Sequence, residues 1–344
     1  MQVRWRAVAV VSLVLTGGPQ GAPARPEDNR FTPVVLVPGG ELDEPIAFEV
    51  LPDERVLVIE RKGVLKLVDP VAKTVKRAGV IPVNTKYTSA EGTTTEAEEG
   101  LMGFTLDPGF ATNRWLYILY AHPTAPKHVL GRWEFRDDSL VAGSERPVLE
   151  YPTQREVCCH TGGGMAWDDA GNLFLAVGNN TGNMPFSTTD ERPDRSSWDD
   201  QRSSGNTNDL RGKILRIHPE PDGTYSIPPG NLYPPGTPQT RPEIYAMGLR
   251  NPWRLSRDTR TGFVYWGEIG PDAGEDTPNV VRGYDELNQA RKPGNFGWPY
   301  FIGDNFAYPV YDYEKSEAGP KKDPAKPLNT SVNNTGLREL PPAI

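Results

Sequence analysis

The sequence predicts an all-β chain built as a β-propeller, and three observations carry that expectation. A unit of apolar strand, Asp- or Gly-containing turn and second apolar strand recurs along the chain. Gly and Pro each number 35 among 344 residues, a turn-rich composition. Eight Trp, thirteen Tyr and eleven Phe argue against disorder, because disordered chains are poor in aromatics.

Taken in order, the N-terminus reads as a secretory signal peptide over residues 1–24. Arg4 and Arg6 precede the apolar run AVAVVSLVL at 7–15, which is too short to span a bilayer, and Ala22-Pro23-Ala24 forms a cleavage zone. The mature chain is therefore expected to be secreted or periplasmic, with no membrane span, where disulfides persist. The first strand unit is AFEVLPDERVLVIER (47–61), followed by VLKLVD. The second is GFTLDPGFATNRWLYILY (103–120), the third GMAWDDAGNLFLAVG (164–178) and the fourth WRLSRDTRTGFVYWGEIG (253–270). Their β-branched and aromatic residues alternate with period two, and their turns carry Asp-Pro-Gly, Asp-Ala-Gly-Asn and Thr-Gly. No long window shows helical periodicity. A β-sandwich with long loops is the alternative.

Spacing between units is uneven, so large insertions are required. The insertion between Asn179 and Leu210 is rich in Ser, Asp and Arg, and such insertions often form a binding face. Residues 311–344 are Pro- and Lys-rich and read as an irregular segment, the start of later blades that are missing. A formal net charge of -8 argues against a nucleic-acid partner.

The chemistry-bearing stretch is VCCHTGGGM (157–165). It holds both cysteines of the chain and one of its four histidines. A histidine near neutral pKa suits a general base, and the three glycines let backbone pass close to a ligand. An ordinary hydrogen-bonded turn histidine is the alternative. Cys158 and Cys159 are poorly placed for a metal. In an exported protein they suggest a vicinal disulfide, strained because adjacent Cα atoms lie closer than the usual disulfide range; two reduced thiols are the alternative.

Three segments together resemble the glucose/sorbosone dehydrogenase family, the soluble PQQ-dependent sugar dehydrogenases. They are EEGLMGFTLDPGF (98–110), HTGGGMAWDDAGNLFLAVGN (160–179) and the run from YAMGLRNPWRL (245–255) through GEIGPDAGED to YDELNQARKPGNFGWP (284–299), with RGKILRI between the last two. The resemblance covers about residues 33–310. It implies a six-bladed β-propeller of the soluble quinoprotein glucose dehydrogenase type, incomplete at its C-terminus here, and an aldose or sorbosone-type dehydrogenase that uses PQQ and calcium.

Carried over residue by residue, the resemblance makes His160 the general base. Arg250 and Asn251 become the pair that contacts the quinone, and Glu98 stands where the family has a Gln near the sugar. Gly270 and Pro271 match backbone carbonyl ligands of one calcium; Glu286, Phe296 and Asp304 match a second calcium region. One departure stands out. The family's supporting Asp is replaced by Asn179, which can hold one imidazole tautomer but cannot stabilise an imidazolium by charge. Arg250 in a structural salt bridge and Glu98 solvating an acidic loop are the alternatives for those residues. The implied partners are a small sugar and an electron acceptor such as a cytochrome. A non-catalytic propeller that binds glycan or protein, a truncated inactive homologue and a calcium-dependent lactonase-like hydrolase are the competing functions.

Overall fold

A computed structural model of the chain describes residues 32–37, 39–182 and 188–344. The signal peptide expected over residues 1–24 lies outside the described residues.

Four sheets follow one another in chain order. The first runs Pro45–Val50, Val56–Glu60, Val64–Asp69 and Thr74–Val80, each strand antiparallel to the next. The second is built on Leu101–Leu106, Trp115–Ala121 and Lys127–Arg136, with Ser139–Leu140 and Arg146–Pro152 on the outer strand. The third runs Gly162–Trp167, Leu173–Val177, Lys213–Pro219 and Ile244–Met247, and Gly294–Asn295 joins it in parallel. The fourth is Pro252–Arg257, Val264–Glu268 and Glu286–Ala290. Each of the four strand units read from sequence is the first antiparallel pair of one sheet. Among the described residues the α-helix is confined to Phe110–Asn113.

The period-two alternation has a specific meaning here, because both faces of a central strand are covered. In Trp115–Ala121, Leu116, Ile118 and Tyr120 pack with Leu57 and Ile59 of the first sheet. Tyr117 and Leu119 turn the other way and pack with Leu173 and Leu175 of the third. In the third sheet, Phe174 and Ala176 face Val264 and Trp266 of the fourth. Successive sheets thus stack face to face through apolar layers, and each fully buried Leu or Ile contributes about 2 kcal/mol by leaving water. The first strands of consecutive sheets lie against each other along one line. This is a β-propeller-like arrangement with four blades, which excludes the two-sheet sandwich. The six-blade count expected from the resemblance is not reached by these residues.

The glycine run explains that close approach, and its role differs from the one expected. Gly163 has φ +115°, and a Cβ there would stand 2.5 Å from the Met102 carbonyl oxygen of the second sheet. A Cβ on Gly164 would stand 2.8 Å from the Leu255 nitrogen of the fourth. The glycines let three first strands meet backbone to backbone, instead of opening the chain to a ligand.

Two further segments depart from their sequence expectations. The polar insertion after Asn179 is not a solvated binding face. Asp199, Gln201, Ser203, Ser204 and Thr207 are fully buried, and Asp199, Gln201 and Thr207 bond within the insertion or to neighbouring segments. Residues 311–344 are not simply irregular. Pro309–Asp312 pairs with Glu317–Lys321, and Leu340 reaches the main core. The Asn329 amide donates to the Gln201 and Gly205 carbonyls, while Ser331 and Asn333 donate to Asp199. The segment holds the insertion from outside, through Asn and Ser side chains that read as loop in a sequence.

Candidate active site

His160 sits at the entrance to the third sheet with φ +61°, a left-handed conformation that costs an L-residue about 1 kcal/mol or more. Its backbone is held on both sides. Its N–H donates to Glu98 Oε2 at 2.7 Å, and its carbonyl accepts from Asn180 N–H at 3.1 Å. Only 5% of the residue is exposed. The imidazole Nδ1 lies 2.8 Å from Asn179 Oδ1.

Asn179 follows the second strand of the same sheet and is fully buried. Its backbone N–H donates to the Arg250 carbonyl. Its Oδ1 accepts from Thr181 N–H at 3.2 Å, and its Nδ2 donates to Asp200 Oδ1 at 2.9 Å. Those two contacts fix which end of the amide faces His160. An oxygen faces Nδ1, so Nδ1 carries a proton, and in the neutral ring this is the Nδ1–H tautomer.

Asp200 comes from the buried insertion. Its second oxygen accepts from Trp298 Nε1 at 2.8 Å. Burial pushes its carboxyl up to about 7, against the pull of Thr181, Arg250 and Trp298. Sequence reasoning did not select Asp200. Its only signal was the Trp-Asp-Asp triplet at 198–200 within a stretch that reads as solvated loop.

Arg250 and Asn251 precede the fourth sheet and are pinned by Glu268. One Glu268 oxygen accepts from both backbone N–H groups, at 2.6 and 2.7 Å, and the other from Trp266 Nε1 at 3.0 Å. Arg250 is 4% exposed, donates through Nη1 to the Ile269 carbonyl at 2.8 Å and lies over the Trp298 ring. Burial lowers its pKa, while Asp200, Glu268, Asp272 and Glu98 oppose that shift. Asn251 spends its amide oxygen on the Gly162 N–H at 3.2 Å, so it braces the His160 turn. Glu268 was visible only as one oxygen donor within GEIGPDAGED. Its part as the clamp under Arg250 needed the fold.

A cleft of about 490 Å³ adjoins this cluster through Glu98 and Asn251 and is lined also by Arg61, Cys158, Trp253 and Ile269; the Arg250 side chain borders a separate small space with Glu268 and Trp298. Glu98 is half-buried in the cleft, and burial raises its pKa against the His160 N–H and Arg250. Cys158 and Cys159 are joined as a vicinal disulfide immediately before His160. Another cleft, of about 530 Å³, lies between turns of the first two sheets beside Phe110 and Asp138 and lacks histidine.

The calcium candidates are partly gathered. Gly270, Glu286 and Phe296 border one small space, which Arg250 and Glu268 share. Glu286 already accepts from Gly303 N–H and the Asn288 amide, and the Pro271 carbonyl accepts from Ala273 N–H. Asp304 is exposed on a turn. Among the described residues, no three His, Cys, Asp or Glu side chains converge on a common point.

Fold and site together define a propeller-like protein that buries a histidine–amide–carboxylate cluster and an arginine near its line of first strands. The chain belongs to the glucose/sorbosone dehydrogenase family, whose pattern matches residues 42–338. This is a family of sugar dehydrogenase oxidoreductases. An uncharacterized protein of Synechocystis is 30% identical over 261 residues, 75% of this chain and 57% of that protein. The aldose sugar dehydrogenase of Escherichia coli is 26% identical over 262 residues, 75% of this chain and 60% of that enzyme. The chain thus spans less than two thirds of the length of these two relatives. The PQQ-bound form of aldose sugar dehydrogenase from Streptomyces coelicolor shares the fold with a TM-score of 0.55 at 24% identity, covering 81% of this chain and 71% of that one.

Proposed function

We propose that this chain is an exported, PQQ- and calcium-dependent aldose dehydrogenase with His160 as its general base. The observation that carries the reading is the His160 Nδ1–Asn179 contact of 2.8 Å, which holds the neutral ring as the Nδ1–H tautomer and makes Nε2 its basic nitrogen. His160 takes the hydroxyl proton of the sugar at Nε2. Glu98, half-buried in the cleft, is placed to accept hydrogen bonds from other sugar hydroxyls.

The residues present fit the quinone on one test. PQQ is a planar polyanion, and the buried Arg250 guanidinium offers permanent positive charge in a planar fork. Arg250 and Trp298 would hold it, with Asn251 keeping the base turn in place. When bound, PQQ supplies the two-electron acceptor for the hydride that leaves the anomeric carbon. The calcium candidates do not make a shell as they stand, since a guanidinium shares their space and Glu286 is already hydrogen-bonded. Calcium is implied by the family resemblance alone, as are the six-bladed ring and a cytochrome acceptor. Export rests on the sequence of residues 1–24.

The test is reconstitution of residues 25–344 with PQQ, with and without calcium. Quinone binding is followed by absorbance and turnover by a sugar panel with an artificial acceptor. Binding with turnover that His160→Ala abolishes supports the dehydrogenase. A folded chain that binds no quinone overturns it for this chain and leaves a propeller that serves binding, the reading that Asn179 in place of a carboxylate favours.

A further inference from the structure

We propose that Asp200 is the positioning carboxylate of the base, acting on His160 through the Asn179 amide, so that a histidine–amide–carboxylate chain replaces a direct histidine–carboxylate pair. The inference rests on His160 being the base of the proposed reaction, and it supplies the negative charge that Asn179 alone lacks.

The geometry is a continuous chain. His160 Nδ1–H donates to Asn179 Oδ1 at 2.8 Å, and Asn179 Nδ2–H donates to Asp200 Oδ1 at 2.9 Å. Each link has one direction only. An ionised carboxylate accepts and does not donate, so the amide nitrogen must face Asp200. The oxygen then faces His160, a choice that Thr181 N–H repeats independently. Polarisation of the amide by the carboxylate strengthens its oxygen as an acceptor. All three side chains are buried, so water does not screen the charge. The far end is also fixed, since Trp298 Nε1–H holds the other Asp200 oxygen at 2.8 Å.

Other charges face this chain. Arg250 acts on Asp200 and on Glu98, Glu98 accepts from the His160 backbone, and Asp199 lies beside Asp200 and opposes its ionisation. Glu268 and Asp272 act through Arg250. Burial raises the Asp200 pKa to about 7 and Asp199 adds to that, while Arg250 and the Trp298 donor oppose it, so the carboxylate charge acts on the chain above about pH 7.

The test is an NMR titration of histidine-labelled protein without quinone or sugar, with His160 assigned by the signal missing in His160→Ala. In the wild type, neutral His160 is the Nδ1–H tautomer. Asp200→Asn lowers the His160 midpoint by about one pH unit, the effect of removing a charge across one amide at an effective dielectric of about 20. Asn179→Ala lowers it as well and releases the ring to the Nε2–H tautomer, and this variant decides the matter alone if Asp200→Asn does not fold. An unchanged midpoint in folded Asp200→Asn, or an unchanged tautomer in Asn179→Ala, overturns the proposal. In reconstituted enzyme, the acid limb of the kcat profile shifts by the same amount in Asp200→Asn. A shifted NMR midpoint in a protein without turnover keeps the chain of contacts and sinks the dehydrogenase reading instead.

Discussion

Lys213 opens the third strand of the third sheet, is fully buried, and donates to the Ser203, Ser204 and Arg211 carbonyls at 2.7, 3.1 and 2.7 Å. It ties the insertion that carries Asp200 to the sheet that carries Asn179. Lys213→Met keeps the length and apolar stem but removes all three donors. Three orphaned buried carbonyls at about 1 kcal/mol each predict a loss of about 3 kcal/mol near pH 7. Burial also lowers the ammonium pKa from 10.5 to about 7. Between those values the unfolded chain holds a proton that the folded chain has released, so wild-type stability rises with pH across that window and is lost as pH falls through about 7. At about 1.4 kcal/mol per unit, the wild-type advantage over Lys213→Met grows by up to about 5 kcal/mol from pH 7 to 10.5. Urea unfolding followed by Trp fluorescence at several pH values measures it. Parallel stability curves for the two proteins would refute the reasoning, and would mean that three carbonyls hold the ammonium charged despite its burial.

Two other outcomes follow from the same geometry. Gly163→Ala places a methyl group 2.5 Å from the Met102 carbonyl at φ +115°; it should destabilise by about 2–4 kcal/mol in denaturant unfolding, with the second and third sheets losing amide-exchange protection first. Arg250→Lys keeps the charge and loses the planar fork on the Ile269 carbonyl and Trp298, so PQQ affinity should fall at least about tenfold in the absorbance titration while the melting curve moves little.

The second blade was the most legible because its central strand is covered on both faces. Leu116-Tyr117-Ile118-Leu119 is an unbroken apolar run with a turn before it, and such a run has few alternatives. His160, Arg250 and Asn251 were legible as motif positions, and the structure does bring them together. Asp200 as the carboxylate behind the Asn179 amide was not legible. Asp200 lies 21 residues from Asn179, and Ser, Asp and Asn in series read as solvated loop because pattern alone cannot show that they satisfy one another. The same limit hid Glu268, whose acceptors meet Arg250 and Asn251 only after a strand turns back. The glycine run signals backbone proximity in the sequence, and in the fold the neighbours are the Met102 carbonyl and the Leu255 nitrogen of adjacent blades.

The buried polar insertion also inverts the usual map of where a chain can be altered. Its hydrophilic stretch from Asp199 to Thr207 has the profile that invites trimming, tagging or grafting, yet it is anchored from inside by Lys213 and from outside by Asn329, Ser331 and Asn333. In this protein, tolerance to cutting follows solvent access and not polarity. The sites that accept a new sequence are the exposed turns at the outer strands, such as Val71–Lys73, while the serine-rich segment behaves as interior.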